Sequence, residues 1–166
     1  VAIEYGLPTT PPEVLAAVET WLVSKAILPA HLIFATVAPI DELEGQPPGD
    51  RFVTLAIPKL TAAMGDQIGG GRYPVTMQGE LEITAWARLD VDQYLRARNH
   101  LQSPLGAWAL VGSIATIVQT DFQSLGKSIL AEPLRLKSIE AQQTKTRSLH
   151  RVRMTLEFGL VLKVAT

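Results

Sequence analysis

The 166-residue chain has no cysteine. That excludes a disulfide framework, a thiolate nucleophile and cysteine-based metal sites, and leaves the redox compartment undetermined. It also lacks an apolar run of membrane-spanning length. The strongest candidate, Ser103–Thr120 (SPLGAWALVGSIATIVQT), falls short of the roughly 20 residues a bilayer needs and has no basic flank on one side. No membrane association is expected. Val1–Gly6 carries no basic segment ahead of an apolar run, so no signal peptide is expected either. Internal repeats are absent, as is the strand–helix alternation of doubly wound nucleotide-binding folds.

Chemistry-bearing patterns are equally scarce. His31, His100 and His150 stand far apart, with no second histidine or carboxylate at ligand spacing. Gly126-Lys127-Ser128 ends like a phosphate-binding loop, but the glycine required five residues earlier is Asp121, and the segment follows a helix rather than a strand. Gly69-Gly70-Gly71-Arg72 offers glycines and a cation, yet Pro74 and a strand follow instead of a helix start. No G-x-S-x-G or other nucleophile context surrounds any serine. The chain is therefore read as non-enzymatic, with no catalytic, cofactor-binding or metal-binding residue.

What is present is the composition of one globular domain spanning residues 1–166, 47 % apolar and 19 % charged. The net charge of −1 hides a split: residues 1–92 hold 12 acidic and 5 Lys/Arg side chains, whereas residues 93–166 hold 4 and 10. Two differently charged solvated faces explain this most simply. A sharper explanation is a head-to-tail contact between copies, which joins two different patches. Ten basic residues spread over 74 positions form no tight nucleic-acid cluster.

Thr10-Pro11-Pro12-Glu13 predicts a helix start with a capping box, and Val14, Leu15, Val18, Trp21 and Leu22 form its apolar stripe until Pro29 ends it. His31–Val37 reads as a short strand, and Asp41–Asp50 as an acidic loop. Arg51–Pro58 reads as a strand. Lys59–Tyr73 then forms a long Gly-rich loop of the kind that is usually functional. Val75–Leu89 alternates with period two: Val75, Met77, Leu81, Ile83, Ala85, Ala87 and Leu89 on one face, Thr76, Gln78, Glu80, Glu82, Thr84 and Arg88 on the other. Gly79 suggests a bulge or bend. Trp86 falls on the polar face, where an exposed tryptophan suggests an interface. A helix over Val91–Leu101 and the Ser103–Thr120 helix follow. The latter has apolar side chains all round, so it is expected to be buried on more than one side, with Gly106 and Gly112 allowing close approach. Glu132–Glu140 and Arg151–Val164 close the chain as strands joined by the polar turn Ala141–Ser148. The last places Arg151, Arg153, Thr155 and Glu157 opposite an apolar face. The expected fold is α+β: an antiparallel sheet of four to five strands, helices packed on one face, and one central buried helix.

The run RFVTLAIPKLTAAMGDQIGGGRYPVTMQGELEITAWARLDVDQ, then a capped helix, SPLGAWALVGSIATIVQ, LAEPLRLKSIE and a closing strand, resembles the tail terminator and tail-completion proteins of long-tailed bacteriophages. The resemblance is one of layout and covers most of Thr10–Leu162. It implies a structural virion protein of the phage neck, assembled in the host cytoplasm. Such a protein forms a hexameric ring that caps the tail tube, ends its polymerisation and joins the tail to the head connector. The implied partners are further copies of the chain, the tail tube protein and a head-completion or stopper protein, with DNA passing through without sequence-specific binding. No cofactor is implied. In such a ring Ile68, Gly69, Gly70, Gly71, Arg72, Trp86 and Arg88 are candidate interface residues, and Glu80 and Glu82 candidate lumen residues. A head–tail connector or stopper is a neighbouring alternative, and a non-catalytic α+β binding module an alternative of another class.

Overall fold

A computed structural model describes residues 8–36, 43, 45–62, 75–88, 106–126, 130–142 and 149–162. In chain order these form α1 (Pro11–Ser24), a 3-10 turn (Ala30–Leu32), β1 (Ile33–Ala35), β2 (Arg51–Ala62), β3 (Val75–Arg88), α2 (Ala107–Gly126), β4 (Glu132–Gln142) and β5 (Leu149–Leu162). The strands make one five-stranded sheet in the order β1-β2-β3-β5-β4. The architecture is the expected α+β layout, with both helices against one sheet face. One pairing departs from it: β1 runs parallel to β2, whereas β2–β3, β3–β5 and β4–β5 are antiparallel. A parallel pair needs a long connection between its strands, and the stretch from Thr36 to Asp50 supplies one.

The capping box starts α1 as predicted. The Glu13 carboxylate accepts from the Thr10 backbone N–H at 3.2 Å and from the Thr9 hydroxyl at 2.9 Å. Pro29 does not end this helix. It stops at Ser24, where Lys25 and Ala26 bond back to Leu22 and Val23 and Ala26 turns into the left-handed region at φ 55°. Val14, Val18, Trp21 and Leu22 are its buried stripe.

Helix α2 lies over the sheet with Ala107, Leu110, Val111, Ile114 and Val118 buried. Its burial is one-sided rather than all-round: Gly112, Ser113, Thr116, Gln119 and Thr120 are exposed, and the three hydroxyls bond carbonyls one turn back. The helix also runs past Thr120 to Gly126, with a kink at Asp121 (φ −131°, ψ 20°). The kink is tied to α1. The Trp21 indole N–H donates to Asp121 Oδ2 at 3.2 Å, and Lys25 ion-pairs with the same oxygen.

The core between helices and sheet comes from one set of alternating positions: Val53 and Leu55, then Leu81, Ile83, Ala85 and Ala87, then Val152, Met154, Leu156, Phe158 and Leu160. At roughly 1.5–3 kcal/mol for each large apolar side chain, this layer dominates stability. Gly79 marks no bulge in β3, whose pairing with β5 is continuous through it. A Cβ there would lie 2.7 Å from both Leu60 and Phe158, so the glycine makes room for two core side chains. The irregularity sits in β2, between Ala56 and Lys59, and β2 continues to Ala62, taking the first residues of the expected Lys59–Tyr73 loop. The rest of that loop, the Val91–Leu101 helix and the Ser103–Pro104 cap lie outside the described residues.

Candidate functional site

The helices cover one face of the sheet, and the polar positions of every long strand collect on the other. The period-two pattern of β3 sends Glu80, Glu82, Thr84, Trp86 and Arg88 there. Register brings β5 alongside, pairing Glu80 with Glu157, Glu82 with Thr155, Thr84 with Arg153 and Trp86 with Arg151. This second face divides into two unlike halves.

One half is aromatic. Phe34 stacks on Phe52 (ring centres 6.2 Å apart, 10° between planes), and Phe52 stacks on Trp86 (5.2 Å, 9°). The Arg151 guanidinium lies over the indole, 5.4 Å from its centre. Trp86 Nε1–H donates to Thr54 Oγ1 at 3.1 Å. Leu149 is buried in this cluster, and Leu32 and Leu43 pack against it. Trp86 therefore lies on the polar face, as predicted, but it is not exposed: only 1 % of it is accessible, because these side chains cover it. Arg88, at the end of the same strand, is exposed, and its guanidinium lies 3.6 Å from the Asp50 carboxylate.

The other half is ionic. Arg153 reaches Glu82 on β3 at 3.3 Å and Glu140 on β4 at 3.1 Å. Lys137 pairs with Glu80 and lies 3.7 Å from Glu157, which Arg135 also holds at 3.1 Å. A register shift between Leu136 and Ser138 makes Lys137 an extra residue in β4. Such bulges re-aim a side chain, here toward Glu80 across the intervening strand. The direct pairing of Glu80 with Glu157 would be repulsive alone, and Lys137 bridges them. Its hydrogen bond and charge hold the Glu80 carboxyl below its ordinary value, and Glu80 raises Lys137 in return. Three members of these pairs, Glu80, Arg135 and Glu157, also line a depression of about 450 Å³ together with Lys59, Gln78 and Glu132.

The candidate lumen residues Glu80 and Glu82 thus share one face, but as members of ion pairs rather than as free acids. Their partners went unrecognised in the sequence. Alternation places Arg153 and Glu157 on a polar face, but not beside β3, because β5, which begins at Leu149, pairs with a strand that ends far before it, at Arg88. The same pairing satisfies part of the charge split within one chain, since carboxylates before residue 92 meet cations after it. The candidate interface residues Ile68, Gly69, Gly70, Gly71 and Arg72 lie outside the described residues. Among the described residues, no three His, Asp or Glu side chains gather as a metal site, and no helix is long and apolar enough to cross a membrane.

No family model and no curated protein matches the chain. Among solved structures, a chain from the virion of a native gene transfer agent particle aligns at 12 % identity with a TM-score of 0.43, covering 94 % of this chain and 95 % of that one. A second solved chain aligns at 12 % identity with a TM-score of 0.44, covering 95 % of this chain and all of the other. Both scores fall below the level that establishes a common fold.

Proposed function

We propose that the chain is a structural subunit of a phage neck, a tail-terminator-like protein. It would assemble into a hexameric ring that caps the tail tube, ends its growth and joins the tail to a head-completion or stopper protein in the virion. The observation that carries this reading is the arrangement of the sheet. The element order of the described residues follows the layout of the resemblance, and the described helices sit on one face, with paired charges on the other. A ring wall around passing DNA needs such a surface, because a basic lining would hold the duplex. A connector or stopper would use the same features.

The depression beside Lys59 and Glu132 favours a second reading, a non-catalytic binding module. Solution mass separates the two. Light scattering at several concentrations and salts is expected to give a closed hexamer, or a monomer that becomes one on contact with tail tubes. A monomer or dimer indifferent to tubes would favour the binding module. Deleting Ile68–Arg72 is expected to weaken assembly while leaving the monomer's thermal transition in place. An unchanged ring would remove the Gly-rich loop from the interface.

A further inference from the structure

The ionic half of the second face holds its charges in connected pairs that run across three strands. Five carboxylates, Glu80, Glu82, Glu132, Glu140 and Glu157, stand with four cations, Lys59, Arg135, Lys137 and Arg153, on four neighbouring strands. Solvent reaches most of them: the side chains of Arg135 and Lys137 are 75 % and 47 % exposed. Exposed pairs of this kind contribute little to stability. What the arrangement changes strongly is the field. With the carboxylates removed, Arg135, Lys137 and Arg153 together with Lys59 would form a basic strip across β2, β5 and β4, the usual footprint for a phosphate backbone.

We propose that this half of the sheet is a masked DNA-facing surface: Glu80 and Glu82 occupy Lys137 and Arg153, the cations that phosphates would otherwise take, so duplex DNA can lie against the face without being held. Three features support this. Arg153 is gripped from both neighbouring strands. The β4 bulge adds Lys137 at the place where Glu80 and Glu157 oppose each other. The carboxylates that pair with these two cations come from three different strands, so the neutrality is built by the fold and not by adjacent residues. The assignment of DNA as the passing polyanion rests on the neck reading.

The test is binding of a short labelled DNA duplex, read by fluorescence anisotropy against salt. Wild type is expected to bind weakly. E80Q/E82Q is expected to bind severalfold tighter at about 50 mM salt, with a log–log salt slope steeper by about 1, less than the roughly 0.9 per phosphate that two fully released cations would add, because Glu140 and Glu157 stay beside Arg153 and Lys137. E19Q, which changes charge on α1, is expected to bind like wild type, and adding K137Q to the double variant is expected to reverse part of the gain. A double variant that binds no tighter than wild type, or a gain from E19Q equal to that from E80Q, would overturn the proposal. Should the double variant fail to fold, E80Q and E82Q singly give the same comparison with about half the slope change. The assay needs no ring, so a monomer that stays monomeric with tail tubes counts against the neck reading alone.

Discussion

The two halves of the second sheet face share β2, β3 and β5, to which the aromatic half adds β1 and the ionic half β4, and they differ in almost everything else. At the aromatic end, Phe52 and Trp86 are removed from water, and the one indole hydrogen bond is satisfied by Thr54. At the ionic end, charged groups remain wet and meet in pairs. Burial of apolar area scales into kilocalories, whereas exposed ion pairs nearly cancel against the loss of solvation and side-chain freedom. One end therefore holds the fold, and the other sets what the surface presents. Substitutions at the two ends should separate cleanly into stability effects and surface effects.

The largest expected effect is at the aromatic end. Trp86→Ala removes the middle of the Phe52–Trp86–Arg151 stack and should cost about 3–5 kcal/mol of monomer stability, measured by urea unfolding. Glu82→Gln, at the adjoining position of the ionic end, should cost no more than about 1 kcal/mol. Equal losses would erase the distinction between the halves. Next comes Gly79→Val, which tests whether the ionic end rests on a rigid base. Its Cβ would meet Leu60 and Phe158 at 2.7 Å, and overpacking of this kind typically costs about 1–3 kcal/mol. A neutral result would mean that the core behind the ionic half yields easily.

Thr54→Val sharpens the aromatic end further. It keeps the side chain's shape but leaves the buried Trp86 N–H without its acceptor, at a cost of about 1–3 kcal/mol. Thr54→Ser, which retains the hydroxyl, should recover most of that in the same unfolding measurement.

The legible parts of the molecule were those set by local pattern. The period of two over Val75–Leu89 and Arg151–Val164 gave the strands found at Val75–Arg88 and Leu149–Leu162 and their faces, and Thr10 with Glu13 gave the start of α1. What depended on pairing between distant strands was not legible. Trp86 is buried because Phe34 and Phe52 arrive from β1 and β2, and nothing in the alternation of β3 reports its neighbours. Lys137 meets Glu80 only through a bulge, which breaks the alternation that sequence periodicity relies on. The end of α1 was missed for a local reason, an alanine taking the left-handed turn that glycine normally supplies.

The smallest effect, and the one most specific to the ionic end, is its dependence on pH. Glu80 has a folded pKa lowered from 4.5, chiefly by the hydrogen bond from Lys137 and then by its charge. Its contribution is therefore present above 4.5 and disappears as pH falls through the lower folded value. Lys137 is raised from 10.5 by the same partner, so the pair's contribution is also lost as pH rises beyond that value. Glu80→Gln should lower the melting temperature slightly near neutrality. The difference should vanish in strong acid and strong alkali, and shrink in high salt as exposed charges are screened. Trp86→Ala should show neither dependence, since stacking and burial do not titrate. If the Glu80→Gln difference instead persisted unchanged in acid and in high salt, the ionic half would be contributing by packing, and the division of the face into a holding end and a presenting end would fail at its weaker side.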